Sequence, residues 1–219
     1  NATQGALLSR VFVDHNGNGI FDEGDAPIEG AKLEIDRGIR RVASDADGFL
    51  YIPAVTPNRR MVVKVDRDSL KDPFLVPVKE GVAMVANPGG TVRLDFPVVT
   101  TGEIDGTVFK VEDSRVFPVS GAEIQLFDGD GNLVKELRSA FDGFYLLEFL
   151  PPGEYTVRID PDQLARLGLT ADRVHRLTID GDGTVLNARD FLLRKIGEDA
   201  PASGDAPSSS LPTPSEFAE

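Results

Sequence analysis

The chain has 219 residues, 41% of them hydrophobic, enough for one large or two small domains with ordinary cores. Its formal charge of -13 repels phosphate backbones and anionic lipid, which argues against nucleic-acid partners. The absence of cysteine excludes disulfides, thiolate nucleophiles and sulfur-ligated zinc, and no apolar run approaches the roughly 18 residues of a membrane helix, so direct membrane insertion is not expected.

A first strand is expected over about Ala6 to Val13. Directly after it, Asp14-His-Asn16-Gly-Asn18-Gly19-Ile20-Phe-Asp22-Glu-Gly-Asp25 places oxygen ligands at loop positions 1, 3, 5, 7, 9 and 12 with glycine at position 6, the spacing of a calcium loop of the EF-hand kind. Carboxylates of Asp14, Asp22 and Asp25, amide oxygens of Asn16 and Asn18 and the backbone carbonyl of Ile20 form a hard oxygen set, and Gly19 permits the bend that gathers it. Asp25 has a shorter arm than the glutamate usual at position 12, which points to a structural or moderate-affinity site. The bland alternative is a solvent-exposed turn rich in Asp, Asn and Gly.

Next comes an alternating strand in which Ala31, Leu33 and Ile35 share a face, then a hairpin-like return through Arg40 to Ser44 and an Asp47-Gly48 turn. A strand near Arg60 to Val65 precedes Asp66-Arg-Asp68-Ser-Leu70, read as a capped helical turn, and Val92 to Val98 closes the module. The same order then recurs. Gly102-Glu-Ile-Asp-Gly-Thr-Val-Phe109 matches Gly5 to Phe12, Gly121 to Leu126 matches Gly30 to Ile35, Asp142-Gly143-Phe144 matches Asp47-Gly48-Phe49, and Ile159 to Leu164 matches Val65 to Leu70. Two homologous modules follow, 1–98 with the calcium loop and 99–196 without it, joined with little linker. In the second module Val111 to Gly121 has lost the alternating ligands. Asp128 to Asn132 reads as a β-turn joining two strands and Asp180 to Thr184 as a hairpin turn, rather than as further cation loops. Residues 197–219, rich in Pro, Ser, Ala and acidic side chains, read as a disordered tail.

About seven short strands per module with turn signals between them predict an all-β chain of two tandem antiparallel β-sandwiches, of Greek-key or transthyretin-like topology. Gly102 to Phe109, Pro118 to Ile124, Ser139 to Tyr145 and Leu150-Pro-Pro-Gly-Glu-Tyr-Thr-Val157 resemble the carboxypeptidase-regulatory-like, transthyretin-like β-sandwich. Val11 to Gly19, Asp25 to Ala31 and Ser44 to Gly48 resemble the calcium-binding B-type repeats of bacterial surface adhesins. The resemblance implies stalk or spacer domains that are secreted, on the cell surface or associated with an outer membrane, as parts of a larger protein. It carries the calcium ligands onto the same six residues.

No G-x-S-x-G, H-E-x-x-H or complete phosphate loop is present, and His15 and His175 read as incidental surface histidines, so no enzyme is expected. The expected role is a non-catalytic structural spacer, its first module braced by calcium. The alternative is recognition of a surface protein or glycan through loops or an exposed strand edge, to which Tyr51, Phe74, Phe144, Tyr145, Phe149 and Tyr155 would contribute if they are exposed, although most aromatics of an all-β chain belong to its core.

Overall fold

A computed structural model describes residues 4–197. They form two compact units: residues up to Gly102 with Asp180–Gly183, and Glu103–Ile179 with the residues from Thr184 on. The expected tail falls outside the described residues, apart from Gly197.

The strands of the first unit are β1 (Gly5–Val13), β2 (Ala26–Pro27), β3 (Lys32–Ile35), β4 (Gly38–Ala43), β5 (Phe49–Val55), β6 (Arg60–Asp66), β7 (Leu75–Pro77), β8 (Val82–Val85) and β9 (Thr91–Thr100). One sheet runs β2-β1-β9-β7, with β5 also on β1, and the other runs β4-β3-β6-β8. All pairs are antiparallel except β1 with β9, which run parallel from Ala6↔Thr91 to Val13↔Val98. A parallel pair cannot be closed by a tight turn. Here the connection between its strands is the whole sandwich.

Alternation puts Leu7 and Val11 of β1, Leu50 and Ile52 of β5 and Phe96 and Val98 of β9 against Leu33, Ile35, Met61, Val63 and Val65 of the facing sheet. The stripe foreseen over Ala31, Leu33 and Ile35 is buried throughout. Truncating one such side chain to alanine removes about 2–5 kcal/mol.

The second unit repeats this wiring with β10 (Gly102–Glu112), β11 (Arg115–Pro118), β12 (Glu123–Asp128), β13 (Leu133–Arg138), β14 (Phe144–Leu150), β15 (Gly153–Ile159), β16 (Leu169–Ala171), β17 (His175–Ile179), β18 (Val185–Leu186) and β19 (Phe191–Lys195). Its sheets are β11-β10-β19-β16, with β14 and β18 also on β10, and β13-β12-β15-β17. The first and last strands are again parallel. Its separate core is built around Ile104, Val108, Ile124, Leu126, Tyr145, Leu147, Val157 and Phe191.

The duplication extends to single hydrogen bonds. Ser44 Oγ donates to the Ile28 carbonyl at 2.6 Å and accepts from the Ala31 N–H at 2.9 Å, and Ser139 does the same with Val119 and Ala122 at the same two distances. The Asp-x-Asp-x-Leu segments are capped turns. Asp66 accepts from the Asp68 N–H ahead of a 3₁₀ turn at Arg67–Ser69, and Asp160 accepts from Asp162 and Gln163 at the start of α1 (Pro161–Leu167).

The strands not expected from the sequence are β2, β5, β7, β8, β11, β14, β16 and β17. Most have at most five residues, too few for a stable alternation signal, while β5 and β14 have seven each and their alternation is broken near the end by the positive φ of Ala54 and Phe149. Asp180–Thr184 is a turn but not a hairpin, because β17 lies in the sheet of β15 whereas β18 pairs with β10. His175 is not an incidental surface residue. It is half-buried, its Nε2 lies 2.9 Å from the Asp190 carbonyl and its ring packs edge-on to Phe191.

Candidate cation loop

The twelve residues Asp14 to Asp25 form the tip between β1 and β2. Their flanks, Val13 and Ala26, are direct cross-strand partners, and the Asp14 N–H donates to the Val98 carbonyl at 2.8 Å. The loop is thus closed at its base by the sheet itself, so much of its closure entropy is met by strand pairing.

All five side chains proposed as ligands join one network. Asp14 is 2% exposed, and its two carboxylate oxygens accept from the N–H groups of Gly17 and Gly19, each at 2.7 Å. The Asn16 and Asn18 side-chain oxygens accept from the backbone N–H two residues on, at 3.0 and 2.7 Å, while both amide groups donate to Asp22. Asp25 takes the His15 N–H at 3.1 Å and the Asp22 N–H at 3.0 Å on its two oxygens. Ile20 points its side chain outward, 68% exposed, consistent with a role for its carbonyl alone. Gly19 has φ +76°, the conformation for which glycine at position 6 was invoked.

The donor set fits a hard cation chemically: three carboxylates, two amide oxygens and a carbonyl along one closed turn. In the arrangement observed, however, the carboxylates do not converge. Among the described residues no group of three or more His, Cys, Asp or Glu is placed to hold a metal ion. Asp22 is instead surrounded by the two asparagine amides, so a cation would have to exchange those N–H donors for oxygens. Rotating the two amides would make that exchange only by giving up the bonds that their oxygens accept from the Asn18 and Ile20 N–H groups.

In the second unit the same position holds a plain hairpin. β10 and β11 pair from Phe109↔Pro118 to Glu112↔Arg115 around Asp113 and Ser114, with φ of +49° and +64°. Two consecutive left-handed residues are the signature of a type I′ turn, which matches strand twist and needs no ligand. Asp128 to Asn132 is likewise a self-satisfied hairpin turn, with Asp128 Oδ1 accepting from the N–H groups of Asp130 and Asn132.

Of the aromatic residues considered for recognition, Tyr51, Phe74, Phe144 and Phe149 are exposed, whereas Tyr145 and Tyr155 belong to the core. Burial, with the charges of Asp190 and Asp105 adding to it, holds the Tyr145 hydroxyl well above its ordinary pKa, and the hydroxyl donates to the Arg189 carbonyl at 2.6 Å. One feature beside the loop escaped the sequence reading altogether. Arg10 of β1 lies over Phe21, the loop's eighth residue. That contact depends on how the loop folds back over β1, which no local motif encodes.

Residues 105–158 match the family model described as SpaA, prealbumin-like fold domain, a stretch that carries most of the motifs behind the transthyretin-like resemblance. Colossin-A of Dictyostelium discoideum is 25% identical over 189 residues, an alignment that spans 78% of this chain and only 2% of that relative's length. Among solved structures, the minor pilin GBS52 of Streptococcus agalactiae is 12% identical with a TM-score of 0.40, over 91% of this chain and 99% of that one. The Bacillus anthracis TIE protein is 16% identical with a TM-score of 0.38, over 89% of this chain and 34% of that one. The shaft pilin SpaA of Lactobacillus rhamnosus GG, as a D295N mutant, is 12% identical with a TM-score of 0.36, over 90% of this chain and all of that one. At such identities and scores no residue role transfers from these structures to this chain.

Proposed function

We propose that the chain is a pair of non-catalytic structural modules, spacers or a stalk within a larger secreted or surface protein of bacterial type, and that calcium braces the first module through Asp14, Asn16, Asn18, Ile20, Asp22 and Asp25. The observation that carries this reading is the duplication. Two modules share wiring, core positions and individual serine hydrogen bonds, yet differ at the β1–β2 tip, where one has a twelve-residue loop with cation-ligand spacing and the other a two-residue turn. Module two therefore shows that the fold does not need the loop, which makes a local bracing role the economical one. The bacterial surface setting rests on resemblance, and the calcium assignment on donor chemistry.

Calorimetric titration of the metal-stripped full chain with calcium, with magnesium as a control and Asp14→Ala beside it, tests the reading. Saturable one-site binding lost in the variant is expected. Binding only to the folded loop would stabilise the first module by about 2.7 kcal/mol at a hundredfold excess over Kd. No calcium binding at millimolar concentration, or equal binding by the variant, would refute it.

Recognition of a surface protein or glycan is the second reading. It is favoured by the open edges of β4 and β13, each of which pairs on one side only among the described strands and carries exposed apolar residues, Ile39 and Val42 or Leu133 and Val134.

A further inference from the structure

Arg10 projects from β1 beside the cation loop. Its guanidinium carbon lies 3.3 Å from the centroid of the Phe21 ring and 4.5 Å from that of Phe49, and its Nε donates to the Asp47 carbonyl at 3.0 Å. Phe21 also packs edge-on to Phe12, with centroids 5.4 Å apart and planes at 89°. Phe49 is the cross-strand partner of Arg10 in the β1–β5 register. The stack therefore ties the middle of the loop to two strands of the sheet.

Phe21 stands between Ile20 and Asp22, two of the six proposed ligands. Holding its ring fixes the backbone on both sides, including the Ile20 carbonyl and the Cα from which the Asp22 carboxylate projects. The second unit supplies an internal control. There the loop is absent, the position matching Arg10 is Thr107, and the residue matching Phe49, Phe144, is left exposed. The arginine and the covering of the phenylalanine occur together with the loop and are missing together.

We infer that Arg10, clasped between Phe21 and Phe49, is a positioning residue that holds the Asp14–Asp25 loop in its closed form before any cation arrives. The inference rests on the calcium reading for its purpose but not for its geometry. A loop ordered in advance loses less entropy on binding, and tighter binding follows. The guanidinium also carries a positive charge next to a cation loop, which by itself would weaken binding. The two effects have opposite signs, so the sign of the change in affinity shows which is larger.

Arg10→Gln removes the charge together with the clasp. If positioning dominates, calcium affinity in the full chain falls by about tenfold, the scale of a partly desolvated cation–π contact. If repulsion dominates, affinity rises. Phe21→Leu, which keeps an apolar side chain and alters no charge, should weaken binding as Arg10→Gln does, and Arg10→Lys should recover part of the loss.

The second readout needs no metal. Amide hydrogen exchange of the calcium-stripped protein should accelerate at least about tenfold at Gly17, Gly19 and Asp22 in Arg10→Gln and Phe21→Leu, while the Ala31 and Ser44 amides of the sandwich stay protected. Unchanged loop exchange in both variants, or tighter calcium binding by Arg10→Gln, would overturn the inference. Accelerated loop exchange in both variants, with a parent chain that binds no calcium, would uphold the clasp and refute the cation reading alone.

Discussion

Ser44 and Ser139 offer a direct measure of how far the two modules are energetically the same object. Each hydroxyl is buried, donates at 2.6 Å to a backbone carbonyl and accepts at 2.9 Å from a backbone N–H. Replacing either by alanine removes two hydrogen bonds and leaves the buried Ala31 or Ala122 N–H without its acceptor. A carbonyl has a second lone pair to fall back on, whereas an N–H has a single proton to give. The orphaned N–H therefore sets the larger part of the penalty, about 1–3 kcal/mol, and the second bond adds about 1 kcal/mol, for a total of about 2–4 kcal/mol in each module. Because the geometry is the same to a tenth of an ångström, Ser44→Ala and Ser139→Ala should agree within about 0.5 kcal/mol, the spread of such bonds about their mean. Exchange of the Val11 and Val108 amides, whose bonds to the Gly48 and Gly143 carbonyls neither substitution touches, read alongside urea unfolding of the full chain, reports the two modules separately. A loss below about 0.5 kcal/mol in both variants, or a difference above about 1.5 kcal/mol between them, would show that the paired serines do not carry equivalent strand-to-strand links.

The Tyr145 hydroxyl has its folded-state pKa raised by burial, so the stability it contributes is full below the ordinary tyrosine value of about 10 and declines as pH rises past it, by about 1.4 kcal/mol per pH unit. Tyr145→Phe should shed about 1 kcal/mol at neutral pH through the lost bond to the Arg189 carbonyl and should flatten the alkaline decline in unfolding titrations. Tyr155, raised in the same direction by burial, keeps a residual slope in that variant. Gly143→Ala places a Cβ about 2.6 Å from the Val108 carbonyl at φ +80°, and Gly48→Ala places one 2.5 Å from the Val11 carbonyl at φ +79°; each should destabilise its module by more than about 1 kcal/mol in thermal melts. Asp160→Ala removes the cap of α1 and should lower stability by about 1 kcal/mol in the same assay, while leaving calcium titration untouched.

What the sequence made legible is what the chain writes locally or writes twice. The ligand spacing from Asp14 to Asp25 is contiguous, so the closed loop could be expected from twelve residues, and the Asp-Gly pairs announce positive φ at Gly48 and Gly143 without reference to anything distant. The burial of Ile124 and Leu126 follows from alternation, and the internal match with Leu33 and Ile35 makes it firmer than either strand alone would.

What the sequence leaves open has the opposite property. Whether Tyr145 is core or exposed stays undecided because its own surroundings do not show its fate. The deciding residue is Gly106 on β10, where a Cβ would fall 2.9 Å from the tyrosine ring and 2.4 Å from the Arg189 carbonyl, so only the missing side chain makes room for a buried ring with a bonded hydroxyl. In the first module the matching pair is Ser9 and Leu50, a slightly larger residue facing a smaller one, and the core closes there without a tyrosine. Arg10 belongs to the same class. Its position is set by the register that puts it opposite Phe49 and by a loop that folds back over both. A residue whose partners are fixed by strand pairing between distant segments has no signature in its own neighbourhood. The comparison of duplicated modules recovers some of that signal, since Thr107 in place of Arg10 coincides with a hairpin in place of the loop. The positions where two copies of one fold diverge together are therefore where its specific function should be sought: here, the β1–β2 tip and the arginine beneath it.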